Sequence, residues 1–574
     1  MHSLSGLPTG GAQRHSPTTQ STARWPGLRS GLMPWILAIG AALTYLLNIL
    51  VDNAALFHDE YVYKAAADHR LPQDELYAKG AIEYIPNRLF VLIYRLASYS
   101  EQNFYVAAQF INVAFWALGL LAVCKLAQLL GVTGRRLLVF TALAVLLPFS
   151  TYTKYFMPEA MFFFLFAVCA LLLFKAMFSG SQLLMFGAGL AAGLTYYVKP
   201  HAVMFFGATL LFLAASGGGA TVRWRRVCWH GAGFMAVLLV GTLVIDKPQS
   251  LARLGVYDGM VKGMMATAVA IVNEPGGSLR AVGTVGLGHV VLVLSTWTIA
   301  VAFAVSACVA LLRGKRASDP EHHQRQLFGA WLLIVTGTLF AVAIAFTVLV
   351  AEVGRIHSRY YCFMYPFLLL AVFVFEPSQY SRSARFAISA VVVVLGLALL
   401  GMPRYSGILG ISLVSDSPEL GFAFLSRWLA GAGIVLLVAA QLWAIWRRPQ
   451  ALWLVLAILF AGSHYYVRQA QGHVFRGPYT DGRDAAAVEQ ILGPEALRAA
   501  LVVGDGRDAV SKFLFNLSVV PFVGQRPFEQ VGTLIEDYPN IDTFILLTDE
   551  IEGVPGLRCE KMGQRLRVMQ CVKN

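Results

Sequence analysis

A chain of 574 residues in which 57% are apolar and only 13% are charged carries more hydrophobic surface than a water-soluble globule of that length buries, which excludes an ordinary soluble enzyme. Its mean hydropathy is +0.62. The net charge of +13 would suit nucleic acid, but the basic residues cluster in short loops beside apolar stretches, a pattern of membrane topology that argues against a nucleic-acid partner.

Residues 1–31 are polar and rich in Ser, Thr and Gly, and are predicted to be a disordered N-terminus. The apolar stretch that follows is long and has no small-residue cleavage site, so it reads as a retained first span rather than a signal peptide. A helical span needs about 20 mostly apolar residues. Spans are predicted near 32–51, 104–123, 136–150, 157–178, 182–197, 202–216, 228–246, 287–312, 328–351, 360–376, 386–403, 424–446 and 450–466. The fold class is therefore an α-helical polytopic membrane protein of about thirteen spans. Basic clusters at Arg14/Arg24/Arg29, Lys125/Arg135/Arg136, Arg223/Arg225/Arg226, Arg313/Lys315/Arg316/Arg325, Arg382/Arg385 and Arg447/Arg448 all fall on the side of the N-terminus. The positive-inside rule makes that side the cytoplasm of a bacterial inner membrane protein. An odd number of spans then puts the chain after Val467 outside, in the periplasm.

Three predicted external segments exceed simple connectors. Residues 52–103 show helical spacing at Leu76, Ile82, Leu89, Ile93 and Leu96, which predicts short amphipathic helices at the membrane surface. Residues 247–286 contain the turn signal Asn273-Glu274-Pro275-Gly276-Gly277. The third segment is 404–423. The tail, 467–574, changes composition. Apolar runs at 500–504 and 543–547 read as buried strands, and 484–499 and 507–516 as helices, giving a small C-terminal α/β domain. Gly504-Asp505-Gly506 lacks a full phosphate-binding glycine pattern and reads as a strand-to-helix turn. Cys124, Cys169, Cys228, Cys308 and Cys362 lie in or beside spans without metal-ligand spacing and read as packing residues. Cys559 and Cys571 flank Met562-Gly563-Gln564, a hairpin-turn candidate, and suit a disulfide in an oxidising compartment.

Ionisable residues at a membrane boundary are functional candidates. Four external groups stand out. His58-Asp59-Glu60-Tyr61-x-Tyr63 follows the first span; its carboxylates suit deprotonation of a hydroxyl or a divalent cation, or are a solvated loop pair. Lys154-Tyr155-Phe156-Met157-Pro158-Glu159 opens the fourth span, where a carboxylate is also favoured by the helix dipole. Tyr196-Tyr197-Val198-Lys199-Pro200-His201 is a short external connection. Its lysine, like Lys154, breaks the positive-inside pattern and reads as an anion ligand or as a snorkelling side chain. Glu352 to Tyr361 places Arg355, His357, Arg359 and Tyr360 on the outer side, where arginine forks suit phosphate oxygens. Carboxylates, cations and aromatic rings on one membrane face fit transfer of a sugar from a lipid phosphate.

The membrane region, roughly 30–470, resembles GT-C glycosyltransferases, in particular the protein O-mannosyltransferase and aminoarabinose lipid A transferase group. The resemblance rests on Asp59-Glu60 in a long first external loop, Met157-Pro158-Glu159, Val198-Lys199-Pro200, and Arg355-x-His357-x-Arg359-Tyr360 followed by Pro366. It implies inverting transfer from a polyprenyl-phosphate sugar donor to a glycan, lipid or protein acceptor among membrane lipids. On that analogy Asp59 is the general base with Glu60 as alternative, and Glu159 is a second acid that orients the acceptor or helps bind a metal. Lys199, His201, Arg355, His357 and Arg359 hold the donor phosphate, and Tyr61, Tyr63, Lys154, Tyr196 and Tyr360 line the substrate site. Some members of the fold use a divalent cation, which leaves Mg or Mn at Asp59 and Glu159 open. Val198 departs from the Thr or Ser common before the lysine.

Two other function classes compete. An O-antigen ligase or polymerase typically has its large external loop late in the membrane domain, whereas here the acidic loop is the first one. A transporter or flippase calls for ionisable residues in mid-span, where this chain has almost none.

Overall fold

The computed structural model describes residues 32–49, 58–67, 87–99, 104–217, 219–241, 275–314, 319–349, 358–401, 427–474, 482–504, 521–525, 539–547, 556–562 and 568–573, with a few isolated positions besides. The expectations for residues 1–31, for Leu76 and Ile82, for most of 247–274, 404–423 and 507–516, and for Asp505-Gly506 lie outside the described residues.

The membrane region runs through α1 (Leu32–Ile49), α2 (His58–Ala67), α3 (Arg88–Tyr94), α4 (Phe104–Leu129), α5 (Gly134–Leu146), α6 (Glu159–Ser179), α7 (Gln182–Val198), α8 (Ala202–Ala215) and α9 (Ala220–Gly241). It continues through α10 (Pro275–Leu312), α11 (Pro320–Leu349), α12 (Tyr365–Val374), α13 (Arg382–Gly401), α14 (Arg427–Trp446) and α15 (Gln450–Val474). A helix lies at each predicted span. Eight of them are long and apolar enough to cross a bilayer, and α5 with the 3-10 helix Pro148–Lys154, bent by 46°, would make nine. The other predicted spans fall on α7, α8 and the 362–374 segment, which are shorter apolar helices, and on α9, whose first turns carry Arg223, Arg225 and Arg226. The chain is a multi-pass membrane protein.

The short helices stop for local reasons. Pro200 has no N–H and disfavours helical backbone before it, so α7 ends at Val198 and Lys199 after it is extended (φ −147°, ψ 113°). Pro366 sits in the first turn of α12, preceded by two 3-10 turns at Ser358–Tyr360 and Cys362–Met364. Helix α10 starts at Pro275, earlier than expected: the Pro-Gly-Gly signal is the first turn of a helix, where proline's missing N–H costs nothing. Helices α7 and α9 approach backbone to backbone at Gly189 and Gly233, where a Cβ on either would strike the opposite carbonyl.

In the first external loop, α2 and α3 are helical as expected. Phe90, Val91 and Tyr94 are buried, while Leu96 is exposed. The aromatic face packs on Phe156 before α6, with ring centroids of Phe90 and Tyr94 5.2 and 5.1 Å away.

The tail begins with α16 (Gly482–Leu492) and α17 (Pro494–Ala499). The single helix expected over 484–499 is broken because Gly493 takes φ 78° and Pro494 starts a new helix. Strands β1 (Leu501–Gly504) and β3 (Thr543–Leu546) match the apolar runs, and β2 (Phe522–Gln525), β4 (Leu557–Lys561) and β5 (Met569–Lys573) complete a sheet of order β2-β1-β3-β5-β4. Strand β1 is parallel to β2 and β3, and β5 is antiparallel to β3 and β4. Cys559 and Cys571 face each other in the β4–β5 register and are joined by a disulfide, Cα–Cα 4.0 Å.

Candidate active site

The floor of the site is the buried segment from Pro148 to Met157. Buried backbone groups need partners, and polar side chains from other helices supply them here. Asn112 of α4 donates to the carbonyls of Tyr155 (2.7 Å) and Thr153 (3.3 Å). Tyr105 donates to Lys154 O (2.7 Å), and Asn48 of α1 donates to Thr153 Oγ1 (2.8 Å). Tyr94 of α3 donates to Asn112 Oδ1. Burial, and then the nearby Glu159 charge, push the Tyr94 phenol well above its ordinary pKa. From α2, the fully buried Glu60 accepts the Phe156 N–H at 2.8 Å through Oε2. This scaffold fixes the turn from which α6 and Glu159 start.

On this floor Lys199 Nζ lies 2.6 Å from Glu159 Oε1, with side chains only 12% and 3% exposed. Glu159 Oε2 is buried without a hydrogen-bond partner. The Lys199 ammonium stands 5.8 Å over the ring of Tyr360, and Arg359 is 5.7 Å from the same ring. His201 packs edge-on to Tyr360 (5.6 Å) and against Phe162 (4.9 Å), with Nε2 buried and unpartnered. Burial, then Lys199 and Arg359, hold the His201 pKa well below 6.5, so the ring is neutral at physiological pH. A second tie brings in the first external loop: Asn87 donates to Val198 O at 2.5 Å and accepts from Tyr63 OH at 3.3 Å.

Thus Glu60, Tyr63, Lys154, Glu159, Lys199, His201, Arg359 and Tyr360, from four separate sequence groups, share one end of the helix bundle. Lys154 is buried. The Tyr196 ring lies 5.5 Å from that of Tyr197 and 6.2 Å from that of Phe234 of α9. The backbones of Asp59 and Tyr61 lie in α2, next to Glu60, but their side chains are outside the described residues, as are Arg355 and His357. The described residues contain no group of three His, Cys, Asp or Glu able to hold a metal, and Glu159 is engaged by an ammonium.

Sequence reasoning missed Asn48, Asn87, Tyr94, Tyr105 and Asn112. A signal existed: Asn48 and Asn112 are polar residues inside predicted spans, which are costly unless satisfied. The same end of the bundle lies away from the basic loops. The 3-10 turns holding Tyr360 precede α12, whereas Arg136 donates to Phe373 O at the other end of α12 and Arg325 pairs with Glu376 just beyond it (2.5 Å).

No family model and no curated protein matches the chain. Among solved structures, ArnT from Cupriavidus metallidurans bound to undecaprenyl phosphate has 14% identity and a TM-score of 0.50, covering 94% of this chain and 98% of its own. The apo state of the same protein gives 14% identity, a TM-score of 0.49 and the same coverage. The Archaeoglobus fulgidus oligosaccharyltransferase, tethered with an acceptor peptide, gives 11% identity and a TM-score of 0.45, covering 89% of this chain and 68% of its own. At 14% identity, what this chain has in common with ArnT is the fold, and it extends over nearly the whole of both chains.

Proposed function

We propose that this protein transfers a sugar from a polyprenyl-phosphate donor to a glycan, lipid or protein acceptor at the outer face of a bacterial inner membrane, with inversion at the anomeric carbon. The observation that carries the reading is the buried Lys199–Glu159 pair, flanked by Arg359, Tyr360 and His201, at the end of the bundle away from the basic loops. The positive-inside rule puts those basic loops in the cytoplasm. The fold shared with ArnT, whose structure is bound to undecaprenyl phosphate, supports the donor class.

In the proposed reaction the acceptor hydroxyl oxygen attacks the anomeric carbon and the bond from that carbon to the phosphate oxygen breaks. The hydroxyl proton passes to Asp59. The departing lipid phosphate gathers negative charge that Lys199 and Arg359 stabilise. Glu60 is a weaker candidate for the base, because its Oε2 is held by the Phe156 N–H and it has no exposure. Glu159 sets the position of Lys199, and the neutral His201 offers a hydrogen bond rather than a third charge. The convergence of Tyr360 with these groups gives a face for the sugar ring.

The test uses the purified protein with radiolabelled polyprenyl-phosphate sugars and membrane extract as acceptor. Wild type should transfer label and Asp59→Asn should lose about 10²–10⁴-fold, the range of a general base. Absence of transfer from every such donor would overturn the reading, and full activity in Asp59→Asn would overturn the assignment of the base.

A further inference from the structure

The basic residues at the far end of the bundle divide into two kinds. Arg136 and Arg325 are stitched into the protein: Arg136 donates to Phe373 O, and Arg325 meets Glu376, Glu321 and Leu130 O. Arg382 and Arg385, in the first turn of α13, and Arg447 and Arg448, at the end of α14, differ. None of the four has a carboxylate partner among the described residues, and Arg385 Nε is buried without a hydrogen-bond partner.

The two helix ends are joined by aromatic contacts. Trp446 of α14 donates to Ser389 Oγ of α13 (3.0 Å) and meets Phe386 edge-on (4.8 Å). Arg385 lies over the Trp446 ring at 5.0 Å and Arg382 over Phe386 at 6.0 Å. Stacking on aromatic faces restricts these guanidinium groups without neutralising them. The N-terminus of α13 adds a positive dipole end to the same place. The exposed Trp443 flanks it with an amphipathic ring of the kind found at a membrane surface, and the exposed Phe386 adds apolar area.

We propose that this patch binds the phosphate of an anionic glycerophospholipid in the leaflet at the basic end of the bundle. Charge complementarity selects the occupant: several uncompensated guanidinium groups sit where helices leave the bilayer, within reach of a lipid phosphate. Arg382 and Arg385 grip the phosphate, Phe386 and Trp446 lie under the guanidinium planes, and Arg447 and Arg448 extend the positive field. This proposal does not depend on the reaction at the other end.

The full chain is reconstituted in nanodiscs of phosphatidylcholine mixed with phosphatidylglycerol, and lipids that stay bound are identified by native mass spectrometry. Quenching of tryptophan by brominated phosphatidylglycerol, against brominated phosphatidylcholine, gives an independent readout. Wild type should retain phosphatidylglycerol in preference. Arg382→Gln/Arg385→Gln, which leaves Arg447 and Arg448 to keep the topology, should lower that preference by at least about fivefold, the contribution of one basic residue near an anionic surface. Arg382→Lys/Arg385→Lys, with charge kept, should recover part of it. Equal retention of the two lipids by wild type, or an undiminished preference in the Gln variant, would overturn the proposal.

Discussion

The two ends of the membrane bundle treat charge differently. At one end Glu159 and Lys199 are 3% and 12% exposed and form their pair on a floor of satisfied polar groups. At the other, Arg325 is as little exposed as Lys199, at 12%, but it is shared between Glu321 and Glu376, whose side chains are 51% and 37% exposed and keep their contact with solvent. An exposed pair contributes about 0–1 kcal/mol and costs little to keep. A buried pair carries a desolvation penalty that its own attraction barely offsets. The first end keeps an expensive arrangement, and the proposed chemistry gives a reason for it.

The difference between the ends is most exposed to experiment at Lys199. Lys199→Ala should reduce transfer about 10²–10³-fold, as loss of one preorganised electrostatic group does. A loss below tenfold would put the buried pair on the same footing as the exposed one. Next comes the floor. Asn112→Leu removes the donor to the carbonyls of Thr153 and Tyr155 and the acceptor of the buried Tyr94 hydroxyl. Each such group costs about 1–3 kcal/mol, so thermal unfolding in detergent should occur at distinctly lower temperature. An unchanged midpoint would show that the floor does not hold the start of α6.

A smaller effect concerns pH. Folded His201 has its pKa held well below 6.5. As pH falls below that value, the unfolded chain takes up a proton that the folded histidine refuses, so stability falls toward acid. His201→Gln should flatten that decline, apart from a constant loss of ring packing at every pH; parallel wild-type and variant curves below pH 6.5 would contradict it. The smallest effect belongs to the exposed end: Glu321→Gln should change stability by about 1 kcal/mol or less. A larger loss would erase the difference between the ends.

Much of this was legible in sequence. Hydropathy located the helices, because each predicted span is a continuous apolar run. The motif groups at 59–60, 154–159, 199–201 and 359–360 do share one end of the bundle. What composition could not show is how the site is tied together. Glu60 meets Phe156 across 96 residues, and Asn87 meets Val198 across 111. Neither contact leaves a local pattern. Aromatic packing of Phe90 and Tyr94 against Phe156, which leucine spacing does not reveal, decides which side of α3 turns inward. The tail strands β1 and β3 were visible as wholly apolar runs. The hairpin β4–β5 was visible only through its turn and its cysteines, since β4 alternates with exposed polar residues.

In the proposed reaction Lys199 anchors the donor phosphate. Titration of the purified protein with polyprenyl phosphate, wild type against Lys199→Ala with matched helical content, tests it most directly. Saturable binding by wild type and at least tenfold weaker binding by the variant is the predicted result. Equal affinity for the two proteins would contradict it.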